Sequence, residues 1–358
     1  MGTVRRRVAR LGAVLLITSL SRCALSQASL APVPAIPSAA PTSSDASLKL
    51  IRREIDTGHT AEALQSIAAI RSKSGDEPAL DRLDGLALYA QGSLAPADAA
   101  FATALQHDPT DVESAQMRGL TLFRLGRPAD AIPLLEAAAA KGSLGKADPN
   151  YILGLCYMDT RRYEDARRAF AAQYGFAADS APAYLVTARM LLRREYLPIS
   201  QSFAQKALEL DPSLPLAHEL LGEIALVGNH LDDAIAEFEK ERAKNPLEGA
   251  VYDRLGDAYL RAERFDDAQR SLQRAVLLQP NSTGPFILLG KTMLKKGDPV
   301  SAAMYLDRAN QLDPANFMTH SLLGQAYRAM GRPEDASRET DTAEKLQAAT
   351  EPKIETVH

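Results

Sequence analysis

The sequence predicts an all-α solenoid, in which pairs of helices stack along one array. Three observations carry this prediction: a residue pattern with a period of 34, apolar residues at helical spacing on both sides of a short break, and prolines near the ends of the periods. A fixed period of this size is typical of a stacked array rather than one globular core, because each unit needs its neighbours to bury its apolar face.

The period is marked by a glycine after an apolar run and by an alanine twelve residues later. Successive glycine positions are 34 residues apart, except for one step of 35 between Gly119 and Gly154. In one period Ala188 and Ser200 stand at the glycine and alanine positions. Small residues at both places let two helix axes approach closely, so each period should hold a tightly packed helix pair. The glycines are Gly85, Gly119, Gly154, Gly222, Gly256, Gly290 and Gly324.

The period from 249 to 282 shows the two helices. Residues 251–260 have apolar side chains at helical spacing, residues 261–264 interrupt the pattern, and residues 265–275 resume it. Pro280 follows, and a proline there ends the helix because it lacks the backbone N–H and clashes with the preceding turn. Equivalent places are occupied by Pro109, Pro212, Pro246 and Pro314.

The order of these residues (Leu-Gly, Tyr, Ala, an aromatic residue or leucine, Ala and Pro) resembles the tetratricopeptide repeat. The resemblance implies a right-handed superhelix of about nine helix-turn-helix repeats. The first copy is degenerate, since Ile51 stands where glycine belongs, and Gln173 and Glu241 replace a packing alanine elsewhere. The repeats are assigned to 44–77, 78–111, 112–145, 147–180, 181–214, 215–248, 249–282, 283–316 and 317–350.

The N-terminus has the layout of a signal peptide, assigned to residues 1–26. Four arginines precede an apolar stretch at 11–20, which is too short to span a membrane and is followed by small residues. Cleavage is expected before Gln27. An alternative is lipidation of Cys23, which resembles a bacterial lipoprotein signal, although Arg22 stands where such signals have a small residue. A start that is not secretory is the third alternative.

Two further segments flank the array. Residues 27–43 are rich in Ala, Pro and Ser and are expected to form a linker, and residues 351–358 form a tail. The expected location is therefore extracytoplasmic, periplasmic or secreted, as in the bacterial members of the family that carry such a signal. If Cys23 is lipidated, the protein is instead an outer-membrane lipoprotein, and only then is a membrane a partner.

The charge of the chain argues against nucleic-acid binding. Without residues 1–26, which hold five arginines and no acid, the chain has 36 basic and 45 acidic residues and a formal charge of −9. An acidic surface without a basic stripe does not neutralise phosphates. The remaining cysteine, Cys156, is interpreted as a small packing residue, with a reactive or intermolecular thiol as the alternative.

The sequence shows no sign of an enzyme. None of the six histidines has a partner at metal-ligand spacing, and neither a phosphate-binding glycine loop nor a nucleophile motif is present. The acidic pairs at 232–233 and 266–267 recur before the packing alanine, so they are interpreted as acids in the first turn of the second helix. We therefore expect no catalytic residue, no cofactor and no metal.

The family resemblance implies that the first helix of each repeat lines a concave groove for a peptide. Its groove positions give an apolar half and a half with alternating charge, an arrangement that can fix the register of a bound segment. The alternative is that the apolar residues are core and the charges a solvated face. The apolar half consists of Leu86, Tyr89, Leu120, Phe123, Tyr151, Leu155 and Met158. The charged half consists of Arg189, Arg193, Glu219, Glu223, Asp253, Asp257, Lys291 and Lys295.

Together these features favour a non-catalytic scaffold outside the cytoplasm that binds a protein or an extended peptide and helps to assemble an envelope or secretion complex. One alternative is an accessory or substrate-docking subunit of a glycan-modifying or glycosyl-transfer system. A second is a cytoplasmic adaptor of the same repeat family. The sequence leaves the oligomeric state and the partner open.

Overall fold

The computed structural model describes residues 43–74, 78–142 and 148–350, and in these residues it contains eighteen α-helices and no strand. The predicted all-α fold is confirmed. The signal peptide, Cys23, the linker up to residue 42 and the tail at 351–358 lie outside the described residues. The helix packing belongs to the compact unit that begins at Leu48.

The helices come in pairs, with two or three residues between the two members of a pair. They are α1 Ser43–Asp56, α2 Thr60–Ser74, α3 Pro78–Gln91, α4 Leu94–His107, α5 Val112–Arg124, α6 Pro128–Lys141, α7 Pro149–Asp159, α8 Tyr163–Tyr174, α9 Ala181–Arg193, α10 Leu197–Leu210, α11 Ala217–Val227, α12 Leu231–Lys244, α13 Gly249–Arg261, α14 Phe265–Leu278, α15 Thr283–Lys295, α16 Pro299–Leu312, α17 Phe317–Ala329 and α18 Pro333–Thr350.

The helices pack only against near neighbours in the array. From α3 onward, each odd-numbered helix packs against the even-numbered helix of its own pair, and each even-numbered helix packs against the first helix of the next pair. The core is therefore shared between successive pairs, as expected for a solenoid. The predicted packing alanines are at most 2% exposed: Ala97, Ala131, Ala166, Ala234, Ala268, Ala302 and Ala336.

At each glycine of the repeat pattern, a side chain of the facing helix leaves no room for a Cβ atom. A Cβ atom on Gly256 would lie 2.3 Å from Cγ of Leu272, sixteen residues later, and real Cβ atoms do not approach so closely. Where Ala188 replaces the glycine, the residue sixteen positions later is Ala204, and both are fully buried. The extra methyl group on one helix is thus accommodated by a smaller side chain on the other. The other glycines face Phe101, Leu135, Phe170, Phe238, Leu306 and Thr340.

The turn inside each pair has one conformation along the array. The residue two positions before every even-numbered helix has a positive φ, as at Glu263 with φ 57°. The next N–H then donates to the carbonyl five residues earlier, as Arg264 does to Tyr259 at 2.8 Å, which satisfies the end of the first helix. Five of the nine residues are glycine, and the other four are Arg161, Glu195, Asn229 and Glu263.

The buried glutamate that departs from the repeat has a structural role. Glu241 is 0% exposed, and its carboxylate accepts hydrogen bonds from the backbone N–H groups of Leu216 at 3.1 Å and Glu219 at 3.4 Å. These groups lie at the start of α11, where N–H groups have no partner within the helix. Glu241 therefore caps the first helix of its own pair from the second.

Candidate functional site

The candidate site is the face formed by the odd-numbered helices. Most neighbouring odd-numbered helices contact each other, including α9, α11, α13 and α15 in succession. Across the described ranges, the even-numbered helices make no contact of comparable extent with one another. The odd-numbered helices therefore lie on the inner, concave side of the stacked pairs, and all residues predicted to line the groove belong to them.

Two of the predicted apolar groove residues lie in the core. Met158 on α7 is 0% exposed and belongs to the cluster that joins α7 to α8 and α9. Leu86 on α3 is 8% exposed and packs within the N-terminal cluster. A ligand on the concave face cannot touch Met158 without moving the helix pair. Met158 and Leu86 are therefore core residues that pack beneath the concave face.

The other members of the apolar half are half-buried. Phe123, Tyr151 and Leu155 pack with one side against the central core and leave the other side accessible. Leu120 is half-buried as well. The accessible sides of these residues form an apolar surface on α5 and α7.

Tyr89 is covered by a residue that the sequence did not single out. The guanidinium carbon of Arg124, at the end of α5, lies 4.8 Å from the centre of the Tyr89 ring on α3. This is the geometry of a cation–π contact, which orients both side chains. At this end of the apolar half, the guanidinium of Arg124 therefore places a positive charge over the Tyr89 ring.

The charged half contains a ladder of ion pairs across three helices. Glu223 on α11 lies 3.4 Å from Nη1 of Arg189 on α9 and 3.3 Å from Nε of Arg254 on α13. The predicted alternation of charge is thus present on neighbouring helices. Some of these charges neutralise each other in ion pairs within the array. Arg254 was missed because it stands one residue beyond a groove position, and helical spacing assigns a face but not the reach of a long side chain.

Two acids beside this ladder are desolvated. Burial, opposed by Arg254 and reinforced by Asp257, raises the pKa of Asp253 to about 6. Its Oδ1 atom is buried and has no hydrogen-bond partner among the described residues. Burial first, and then the Glu223 carboxylate, raise the pKa of Glu219, which is 9% exposed. An incoming cation would favour the charged form of Asp253 and would supply the partner that its carboxylate lacks.

The basic ends of the charged half are exposed. Arg193 on α9, and Lys291 and Lys295 on α15, are all accessible, and none has a salt bridge in the described part of the chain. The acids of α11 and α13 thus lie between two basic edges. This surface can contact a ligand carrying charges of both signs.

The cysteine and three of the histidines in the described residues have contacts that fit a structural role. Cys156 is 0% exposed, and burial raises the pKa of its thiol to about 12, so the thiol stays protonated and packs as a small side chain. Three histidines pair with single carboxylates, as His218 does with Glu237 at 2.7 Å. No group of three or more His, Cys, Asp or Glu in the described residues could hold a metal ion.

The acidic pairs at 232–233 and 266–267 occupy the first turns of α12 and α14, as their recurrence predicts. There they complement the helix dipole. Within the described ranges, no helix combines the length and the apolar character needed to cross a membrane.

Sequence comparison identifies three matches to models of one family. Models described as tetratricopeptide repeat match residues 117–182, 249–282 and 293–354. No curated protein matches the sequence.

Several solved structures are similar to the chain. MamA from Desulfovibrio magneticus RS-1 is 18% identical, with a TM-score of 0.46 over 49% of this chain and 98% of that one. YrrB, a TPR protein with an unusual peptide-binding site, is 24% identical, with a TM-score of 0.44 over 52% of this chain and 95% of that one. The Cut9–Hcn1 structure is 16% identical, with a TM-score of 0.41 over 77% of this chain and 48% of that one.

Proposed function

The chain is a tetratricopeptide repeat protein, and we propose that it is a non-catalytic scaffold that binds a protein or an extended peptide on the concave face of its odd-numbered helices. An array of this kind offers a long surface built from many short helices and no enclosed catalytic centre. Its function is to hold a partner in a defined position.

The observation that carries the proposal is the pattern of charge across α9, α11, α13 and α15. In the described part of the chain, the exposed basic side chains at both edges have no salt bridge, and the desolvated Asp253 lies between them. Charges of alternating sign select the register of a bound segment and disfavour segments with the wrong pattern.

The pattern also indicates which segment fits. A basic side chain of the ligand would lie over the acids of α11 and α13, and acidic side chains would lie towards Arg193 and Lys291. Next to the charged half, the apolar surface on α5 and α7 would take aliphatic or aromatic side chains. Affinity for an extended peptide should be roughly micromolar, because ordering such a ligand consumes much of the contact energy.

We further propose where the protein acts and in which cellular process. A scaffold outside the cytoplasm that takes part in assembling an envelope or secretion complex accounts for the arginine-rich start, the apolar stretch at 11–20 and the linker. Two alternatives use the same binding face: a docking subunit of a glycan-modifying or glycosyl-transfer system, and a cytoplasmic adaptor.

A photo-crosslinking experiment tests the proposal. A photoreactive amino acid is placed at Lys291 on the concave face or, as the control, at the exposed Arg274 on α14, an even-numbered helix. We expect a crosslinked partner from Lys291 and none from Arg274. Crosslinking from Arg274 alone, or from neither position, would contradict the proposed face.

The identity of the crosslinked partner separates the three processes. A component of an envelope or secretion complex supports the first, a glycan-modifying enzyme supports the second, and a cytosolic protein supports the third.

A further inference from the structure

Three helix pairs share a contact between a tyrosine and an arginine. In each, the tyrosine lies on the first helix, and the arginine that precedes the second helix covers the ring. The guanidinium carbon lies 4.5 Å from the ring centre for Arg162 on Tyr157, 4.6 Å for Arg264 on Tyr259, and 4.5 Å for Arg332 on Tyr327. This contact is called the tyrosine–arginine clamp below.

Acidic residues fix the clamp on two sides. The arginine donates to an aspartate three residues later, as Arg264 does to Asp267 at 3.0 Å. The tyrosine hydroxyl donates to an acid of the preceding even-numbered helix, as Tyr259 does to Glu239 on α12 at 2.7 Å. The clamp therefore fills the space between one helix pair and the next and joins them by charge-assisted hydrogen bonds.

The pair formed by α11 and α12 lacks the clamp. Ala225 stands at the tyrosine position, His230 at the arginine position and Gln205 at the position of the acid on the preceding helix, while Asp233 is retained. A cleft of about 630 Å³ opens there between α10, α11 and α12. Smaller clefts lie beside Tyr157 and Tyr259, with volumes of about 210 Å³ and about 320 Å³.

The lining of this cleft is apolar at its base and acidic at its rim. Leu221, Ile224 and Ala225 form the base, and Asp233 and Glu237 supply carboxylates, with no lysine or arginine in the lining. Glu237 already pairs with His218 and Lys240. Asp233 has no side-chain partner in the described residues, although its counterparts Asp165, Asp267 and Asp335 each hold an arginine.

We propose that this cleft binds a segment of a partner protein that inserts an aromatic side chain next to a basic one. The aromatic ring takes the space that the clamp tyrosine fills elsewhere, and the basic group pairs with Asp233. The three clamps show that this backbone arrangement accepts both groups together, and a volume of this size is within the range of ligand sites. None of the lining residues belongs to the predicted groove, so this is a second site, between α10, α11 and α12.

Fluorescence of a small peptide provides the test. Because the chain contains no tryptophan, the emission of acetyl-Trp-Arg-amide reports on the probe alone when it is titrated with the full-length protein. We expect a saturable blue shift as the indole leaves water. Acetyl-Trp-Glu-amide should bind at least about tenfold more weakly, because its charge opposes Asp233. Equal binding of the two peptides would overturn the proposal.

Two variants locate the probe. Asp233→Asn should weaken binding of acetyl-Trp-Arg-amide about tenfold, whereas the neighbouring exposed Asp232→Asn, which does not line the cleft, should leave it unchanged. Ala225→Tyr combined with His230→Arg rebuilds the clamp, so it should abolish binding while retaining helix content and raising the melting temperature. Undiminished binding in the rebuilt variant would overturn the site.

Sedimentation of the wild-type chain and the rebuilt variant tests whether the cleft instead binds a second copy of the chain. The proposal predicts the same oligomeric state for the wild-type chain and the rebuilt variant. A dimer that is lost when the clamp is rebuilt would show that the cleft receives a second copy of the chain, and would overturn the proposed partner.

Discussion

Single residues set the distance between the two helices of a pair. The sequence predicted that small residues at the glycine and alanine positions allow close packing, and one side chain of the facing helix fills the space that the glycine leaves. The structure shows this side chain sixteen residues after the glycine, as with Leu272 opposite Gly256. The exchange at Ala188 and Ala204 shows that the two positions share one volume.

Gly256→Ala should lower the free energy of unfolding by about 1–3 kcal/mol, because the new methyl group collides with Leu272. Gly256→Leu should cost at least as much. Adding Leu272→Ala to Gly256→Ala copies the natural pair at Ala188 and Ala204, so the double variant should lose less stability than the two single changes added together. Thermal unfolding measures all of these variants, and additive losses would contradict the shared volume.

The turn residue with positive φ gives a second prediction at this scale. Glu263 is exposed, forms no ion pair with any residue that the structure describes, and holds φ at 57°, which is unfavourable for a residue with a Cβ atom. Glu263→Gly should therefore stabilise the chain by about 0.5–1 kcal/mol.

Gly297 provides the matched control for Glu263→Gly. It has φ 76°, and a Cβ there would meet no atom within 4 Å, so Gly297→Ala should destabilise through the backbone alone, by about 1 kcal/mol. If Glu263→Gly lowers the melting temperature, the turn geometry is wrong.

At the scale of helices, apolar spacing and proline stops were sufficient to predict which segments are helical. They were not sufficient to separate surface from core on the odd-numbered helices. Met158 and Leu155 were both assigned to the groove, yet Met158 is fully buried and Leu155 is half-buried. Residues three positions apart on a helix point about 60° away from each other, and a small rotation of a short helix decides which one faces the ligand.

The stability of a Phe123 variant tests whether the apolar half is part of the surface or part of the core. It is half-buried against the same core in which Phe170 is 0% exposed. Phe123→Ala should therefore cost about 1–2 kcal/mol of stability, compared with about 3–5 kcal/mol for Phe170→Ala. Combined with Tyr89→Ala, it should also weaken capture of the partner. Equal losses of stability for Phe123→Ala and Phe170→Ala would assign the apolar half to the core.

For the whole molecule, export is a prediction from the first 26 residues, which lie outside the described part of the structure. Mass spectrometry of the native protein should find a chain that begins at or near Gln27. A chain that begins at a lipid-modified Cys23 would keep export and add a membrane anchor. An intact Met1 in a cytosolic protein would refute export and favour the adaptor alternative.

We propose that the concave face of the array binds a protein segment through its pattern of charge. The most direct measurement is the affinity of the segment crosslinked at Lys291 for the variant Lys291→Glu with Lys295→Glu, compared with the control Arg274→Glu with Lys345→Glu, which makes the same charge change on even-numbered helices. We predict about a tenfold or greater loss for the first variant at low salt, shrinking as ionic strength rises, with no change in melting temperature. Equal affinity of both variants would contradict the claim.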